Sequence, residues 1–125
     1  MTGVVYPHLL QPDERRELLR IARATLREYL DSGRIPPGKP HRASLLAPAA
    51  VVVRLHRGDD QIAVAETAIG ERPLYRAIQE LAVQAITTDG LDELLTDEDL
   101  ILLSIEIGVL GAAEPQNFRE PPLAT

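Results

Sequence analysis

The 125-residue chain contains no cysteine, no tryptophan, one phenylalanine and three tyrosines. Without thiols, disulfides, thiolate nucleophiles, iron–sulfur clusters and cysteine-ligated zinc are excluded. With so few rings the core must be aliphatic, built mainly from Leu, Ile, Val and Ala. Little is left to stack bases or grip a flat cofactor, so single-stranded nucleic acid is a poor partner. Lysine is almost missing as well: twelve of the thirteen basic residues are Arg and only Lys39 is Lys, a bias that fits a GC-rich bacterial genome. No apolar run approaches the roughly 20 residues of a membrane span. The N-terminus lacks the basic start and apolar stretch of a signal peptide. No GxGxxG or P-loop pattern is present, and neither Ser44 nor Ser104 sits in a Gly-x-Ser-x-Gly elbow. His8, His41 and His56 have no metal-ligand spacing. Neither a cofactor nor a metal is expected.

What the chain does have is the makeup of one soluble domain, 45% hydrophobic and 26% charged. That length allows one continuous core. The formal net charge of −6 would repel a phosphate backbone. A cytoplasmic protein that binds neither nucleic acid nor membrane is expected, with an unidentified protein or small molecule as partner and homo-oligomerisation left open.

Helical periodicity runs from about Pro12 to Leu30, with Leu18, Leu19, Ala22, Leu26, Tyr29 and Leu30 on one stripe. Arg16, Arg20, Arg23 and Arg27 are read as lying largely off that stripe, with Arg23 and Arg27 pairing with neighbouring acids. Pro12, Asp13 and Glu14 suit the first turn, and Gly33 suits the end. From Ile35 to Pro48 five prolines and glycines forbid regular pairing, giving a long loop that is either functional or a strap. Ala49 to His56 then predicts a strand, Gly58-Asp59-Asp60 a turn and Gln61 to Ala68 its partner. If Arg57 pairs with Asp60, parity puts Val51, Val53, Leu55, Ile62 and Val64 on one face. Val52, Arg54, His56, Gln61, Ala63, Ala65 and Thr67 take the other. A second helix is predicted over Pro73 to Thr87, a short turn capped by Thr96 and Asp99, and a last strand over about Ile101 to Leu110. Residues 112–125 are Pro-rich and polar, and a surface arm or partly disordered tail is expected there.

The order of these segments resembles the AMMECR family. The resemblance rests on Leu18-Leu19-Arg20-Ile21-Ala22-Arg23 with Glu28-Tyr29-Leu30, and on Arg72-Pro73-Leu74-Tyr75. It continues through Leu95-Thr96-Asp97-Glu98-Asp99-Leu100 and Ile105-Glu106-Ile107-Gly108-Val109-Leu110. It covers roughly residues 9–115 and implies one AMMECR-like domain over 1–125: α+β, with an antiparallel sheet of three or more strands packed against two long helices. The family's RGAFVTL-like strand reads here as Ala49-Ala50-Val51-Val52-Val53-Arg54-Leu55. Its RGCIG segment aligns with Ile62-Ala63-Val64-Ala65-Glu66, and its PRF-like segment with Gly90-Leu91-Asp92. Arginine, glycine and cysteine are thus replaced at the family's presumed functional surface, which implies a shortened, divergent relative.

Two constellations could carry chemistry. By the parity above, Glu66 joins the apolar face, where desolvation would suit a general acid or base. The plainer alternative is that the strand has ended and the carboxylate reaches solvent or pairs with Arg72. Arg54, His56 and Glu106 could converge on the opposite face beside the small Ala63 and Ala65. Such a trio could orient an anionic substrate and move a proton, with Arg54 and Glu106 as its substrate-binding residues and Arg54 or His56 positioning the anionic group. There the alternative is a cross-strand ion pair of well under about 1 kcal/mol. Two functions follow. One is an accessory or binding protein lacking the family's hallmark motif; the other is a small bacterial enzyme with Glu66 and His56 as catalytic residues in a rebuilt pocket.

Overall fold

The computed structural model describes residues 10–38, 48–67, 72–110 and 116–123. His8, His41, Ser44 and most of the Pro-rich loop fall outside that set. Helix α1 spans Pro12–Ser32. The Gln11 N–H donates to Glu14 Oε1 at 2.8 Å, satisfying an amide that the first turn leaves open. At the other end Gly33 takes φ 74°, the left-handed conformation that glycine adopts without a Cβ penalty, and its N–H closes on the Tyr29 carbonyl at 2.8 Å.

Strands β1 (Ala50–Arg57) and β2 (Asp60–Glu66) form a hairpin over the two-residue loop Gly58-Asp59. Gly58 has φ +61° and is the only one of the two with positive φ, as in a type II′ turn. Helix α2 (Leu74–Thr87) follows, then a 3₁₀ turn at Leu91–Glu93, the short helix α3 (Asp97–Leu102) and strands β3 (Ser104–Leu110) and β4 (Gln116–Glu120). The four strands make one antiparallel sheet in the order β2-β1-β3-β4. Both long helices lie against it on one side: α2 packs on β1 and β2, while α1 packs on α2, β3 and β4. Between the layers lie Leu18, Leu26, Val51, Val53, Leu55, Ile78, Ile86, Ile105 and Ile107, all fully buried. This is the α+β arrangement expected from the sequence.

Three local expectations are corrected. First, the hairpin register. Arg57 does pair with Asp60, but Ile62 is an extra residue on β2, so the register slips between His56↔Gln61 and Leu55↔Ala63. Beyond that bulge Val53 faces Ala65 and Arg54 faces Val64. Directly opposed residues share a face, so one inserted residue swaps the β2 faces. Ala63 and Ala65 turn toward the helices, and Val64 turns away, 45% exposed. Val51 and Val64 therefore point to opposite sides, against the parity reading. Second, the strand expected from Ile101 starts only at Ser104, because Ile101 belongs to α3. Thr96 Oγ1 accepts the Asp99 N–H at 3.2 Å and Asp99 Oδ2 accepts the Thr96 N–H at 3.0 Å, a capping box that starts a helix here. Third, residues 116–120 of the expected arm form β4, anchored by the buried Phe118 opposite Ile107.

The described start of the Pro-rich loop crosses α2. Gln79, buried, donates to the Pro36 carbonyl at 3.0 Å, and Gly38 lies where a Cβ would run into the Tyr75 ring. That end of the loop is a strap.

Candidate functional site

The sheet face turned away from the helices carries the polar side chains. Strand pairing sets them in rows that cross the sheet. One row runs Val64, Arg54, Glu106, Arg119 from β2 to β4; a second runs Glu66, Val52, Gly108, Asn117; a third joins Gln61, His56 and Ser104. In the first row a carboxylate stands between two guanidinium-bearing residues on its neighbouring strands, the favourable order for cross-strand pairs.

The trio expected from the sequence does converge. His56 Nε2 and Glu106 Oε1 are 2.8 Å apart, and Arg54 Nη1 is 3.9 Å from Glu106 Oε2. His56 is the more buried, Arg54 and Glu106 less so. Ala63 and Ala65 are not beside the trio, because the bulge sends them to the core side; Val64 is the β2 neighbour instead. Glu66 is also misplaced by the parity reading. It is exposed and sits opposite Val52 on this same outer face, so no apolar burial desolvates it. Nor does it pair with Arg72, whose Nε is 3.0 Å from Glu80 Oε1.

Sequence reasoning missed Arg119. Its Nε and Nη2 donate to Ser104 Oγ at 2.9 and 2.7 Å, and Nη2 reaches the Gly58 carbonyl at 3.3 Å. The side chain thus crosses Ser104 and ties β4 to the tip of the β1–β2 hairpin. The signal was a short one: in Gln116-Asn117-Phe118-Arg119-Glu120 only Phe118 is apolar. Gly108 makes room on the same face. A Cβ there would stand 2.6 Å from Val52 Cγ1 and 2.7 Å from Asn117 Oδ1, so these side chains close over the glycine. Val52 is only 5% exposed although no described helix covers its face.

Arg23 was also misread. It is buried, and its Nε donates to Glu120 Oε2 while Nη1 and Nη2 donate to the Leu100 and Leu103 carbonyls, each at 2.8 Å. The pairing acid is on β4, not a neighbour on α1. Its spacing from Leu19 and Leu26 was the clue, since i+4 and i−3 put it on the apolar stripe.

The outer face presents fixed charges and the exposed aliphatics Val64 and Leu110. Among the described residues, no three His, Asp, Glu or Cys side chains are grouped to hold a metal, and no helix is long and apolar enough to cross a membrane.

Comparison with known proteins gives a family and a fold. The AMMECR1 family model matches residues 19–122. The crystal structure of uncharacterized protein PH0010 from Pyrococcus horikoshii is similar at TM-score 0.66 and 25% sequence identity, over 74% of this chain and 49% of that one. The chain thus spans about half the length of that relative. A search of curated proteins gives no match. The quoted motifs fall on ordered elements: Arg72-Pro73-Leu74-Tyr75 opens α2, Leu95 to Leu100 enters α3, and Ile105 to Leu110 lies within β3. By this match, and with the order of its helices and strands, the chain belongs to the AMMECR1 family.

Proposed function

We propose that this chain is an accessory, binding member of its family and that the open sheet face docks a protein partner. The observation that carries the reading is the row Val64, Arg54, Glu106, Arg119. Its polar groups are held by neighbours outside the row: Glu106 by His56, Arg119 by Ser104 and the Gly58 carbonyl. Such prepaid ordering lowers the entropy cost of association. Val64 on one side and Leu110, 46% exposed, on the other supply apolar contact area. A face with fixed charges and scattered aliphatics suits a protein surface.

The test is affinity capture from extracts of the source organism with the parent chain, Arg54→Glu, Arg119→Glu and the remote control Arg34→Glu. One protein held by the parent and the control, and lost from both sheet-face variants while they stay folded, is the expected result. Equal capture by all four chains contradicts the proposal.

An enzymatic role has one observation in its favour, the 2.8 Å contact that orients His56 on Glu106. In that case His56→Ala removes a turnover that the parent shows. The exposure of Glu66 removes the desolvation that motivated it as acid or base.

A further inference from the structure

A groove of about 420 Å³ lies between α1, α3 and the segment after β4. Its size falls within the roughly 300–1,000 Å³ of small-ligand sites. We propose that it binds a short apolar peptide with free termini, or a ligand of the same chemistry: an apolar body with an ammonium at one end and a carboxylate at the other. The proposal is independent of the sheet-face reading.

The floor and lips are aliphatic. Ala24 and Leu100 line the groove, together with Ile101, 39% exposed, and Leu123, 59% exposed. Exposed aliphatics around a concavity lose water contact when an apolar ligand enters, at about 25 cal/mol for each Å² covered. The walls are fixed by Arg23, whose bonds to the Leu100 and Leu103 carbonyls and to Glu120 tie α1 to α3 and β4. With a bond from each of its three nitrogens, Arg23 serves the groove as a strut between its walls.

The remaining charges are divided between the rims. Arg20 and Arg27 lie on the α1 side, one turn to either side of Arg23, and Asp97 and Glu98 lie on the α3 side. Arg20 is 3.6 Å from Glu17. Arg27, Asp97 and Glu98 have no ion-pair or hydrogen-bond partner among the described residues. A simple anion would gain from Arg27 and meet repulsion from the acidic rim; a simple cation would meet the reverse. A ligand with opposite charges at its ends answers both rims. Two extended residues span about 7 Å, comparable with the roughly 8–10 Å between neighbouring helices.

The test is NMR titration of the full chain with the dipeptide Leu-Leu, its N-acetyl form and its C-terminal amide. Leu-Leu is expected to shift the resonances of Ala24, Ile101 and Leu123 saturably, and capping either end is expected to weaken binding about threefold, the scale of an exposed ion pair. Arg27→Ala, an exposed substitution, should make the free acid and the amide bind alike. Asp97→Asn with Glu98→Gln should do the same for the free and acetylated amines. Arg54→Glu, on the sheet face, should leave all of these unchanged. Groove resonances that do not move with Leu-Leu, or capped peptides that bind as tightly as the free one, would overturn the proposal.

Discussion

At the scale of single residues, Arg23 does the most to join the parts. A buried guanidinium needs partners for its donors, and each of its three nitrogens has one here: Glu120 on β4 and the Leu100 and Leu103 carbonyls at the end of α3. Arg23→Ala leaves two carbonyls and Glu120 without their donor, and removing one partner of such a cluster costs about 3–5 kcal/mol. Arg23→Lys keeps the charge and loses the fork, at about 1–2 kcal/mol. Urea unfolding of both variants checks this order. A loss under about 0.5 kcal/mol for the alanine variant, the level of an ordinary surface substitution, would contradict it.

At the scale of elements, strand β3 shows how a motif serves geometry. Ile105, Ile107 and Val109 fill the core side, while Glu106 and Gly108 alternate onto the outer side. Gly108→Ala drives a methyl into Val52 and Asn117, and overpacking of this kind costs about 1–3 kcal/mol. Val52→Ala should therefore cost less in the Gly108→Ala chain than in the parent, a coupling that a double-mutant cycle of unfolding free energies measures. Purely additive costs would mean that Val52 is not the side chain in the way.

The same strands explain what could be read in advance. The period-3.6 stripes gave α1 and α2, and the strict alternation after Leu103 gave the faces of β3. In β2 the run Ile62-Ala63-Val64-Ala65 is aliphatic on both faces, so no polar residue signals which side is wet, and a one-residue bulge leaves no mark. β4 holds one apolar residue in five and depends on its neighbour β3 for existence. The His56–Glu106 contact was legible because both residues lie on strands whose alternation is clear. Arg119 was not, because its strand was not.

At the scale of the molecule, α1 and α2 cover one side of the sheet and leave the charged rows on the other. The match covers about half of the family relative and about three quarters of this chain, and both share the core fold. The layout of the open face depends on the β1–β2 register more than on any one contact, since that register decides whether Val64 or the two alanines stand beside Arg54. Cross-linking of paired cysteines tests it directly. The Thr67 N–H bond to the Val51 carbonyl makes Val51 and Thr67 a hydrogen-bonded pair, so Arg54 and Val64 fall on a closely spaced non-hydrogen-bonded pair. Under mild oxidation Arg54→Cys/Val64→Cys should form a disulfide and Val53→Cys/Val64→Cys should not. The reverse pattern would place Val64 on the core side and contradict the account.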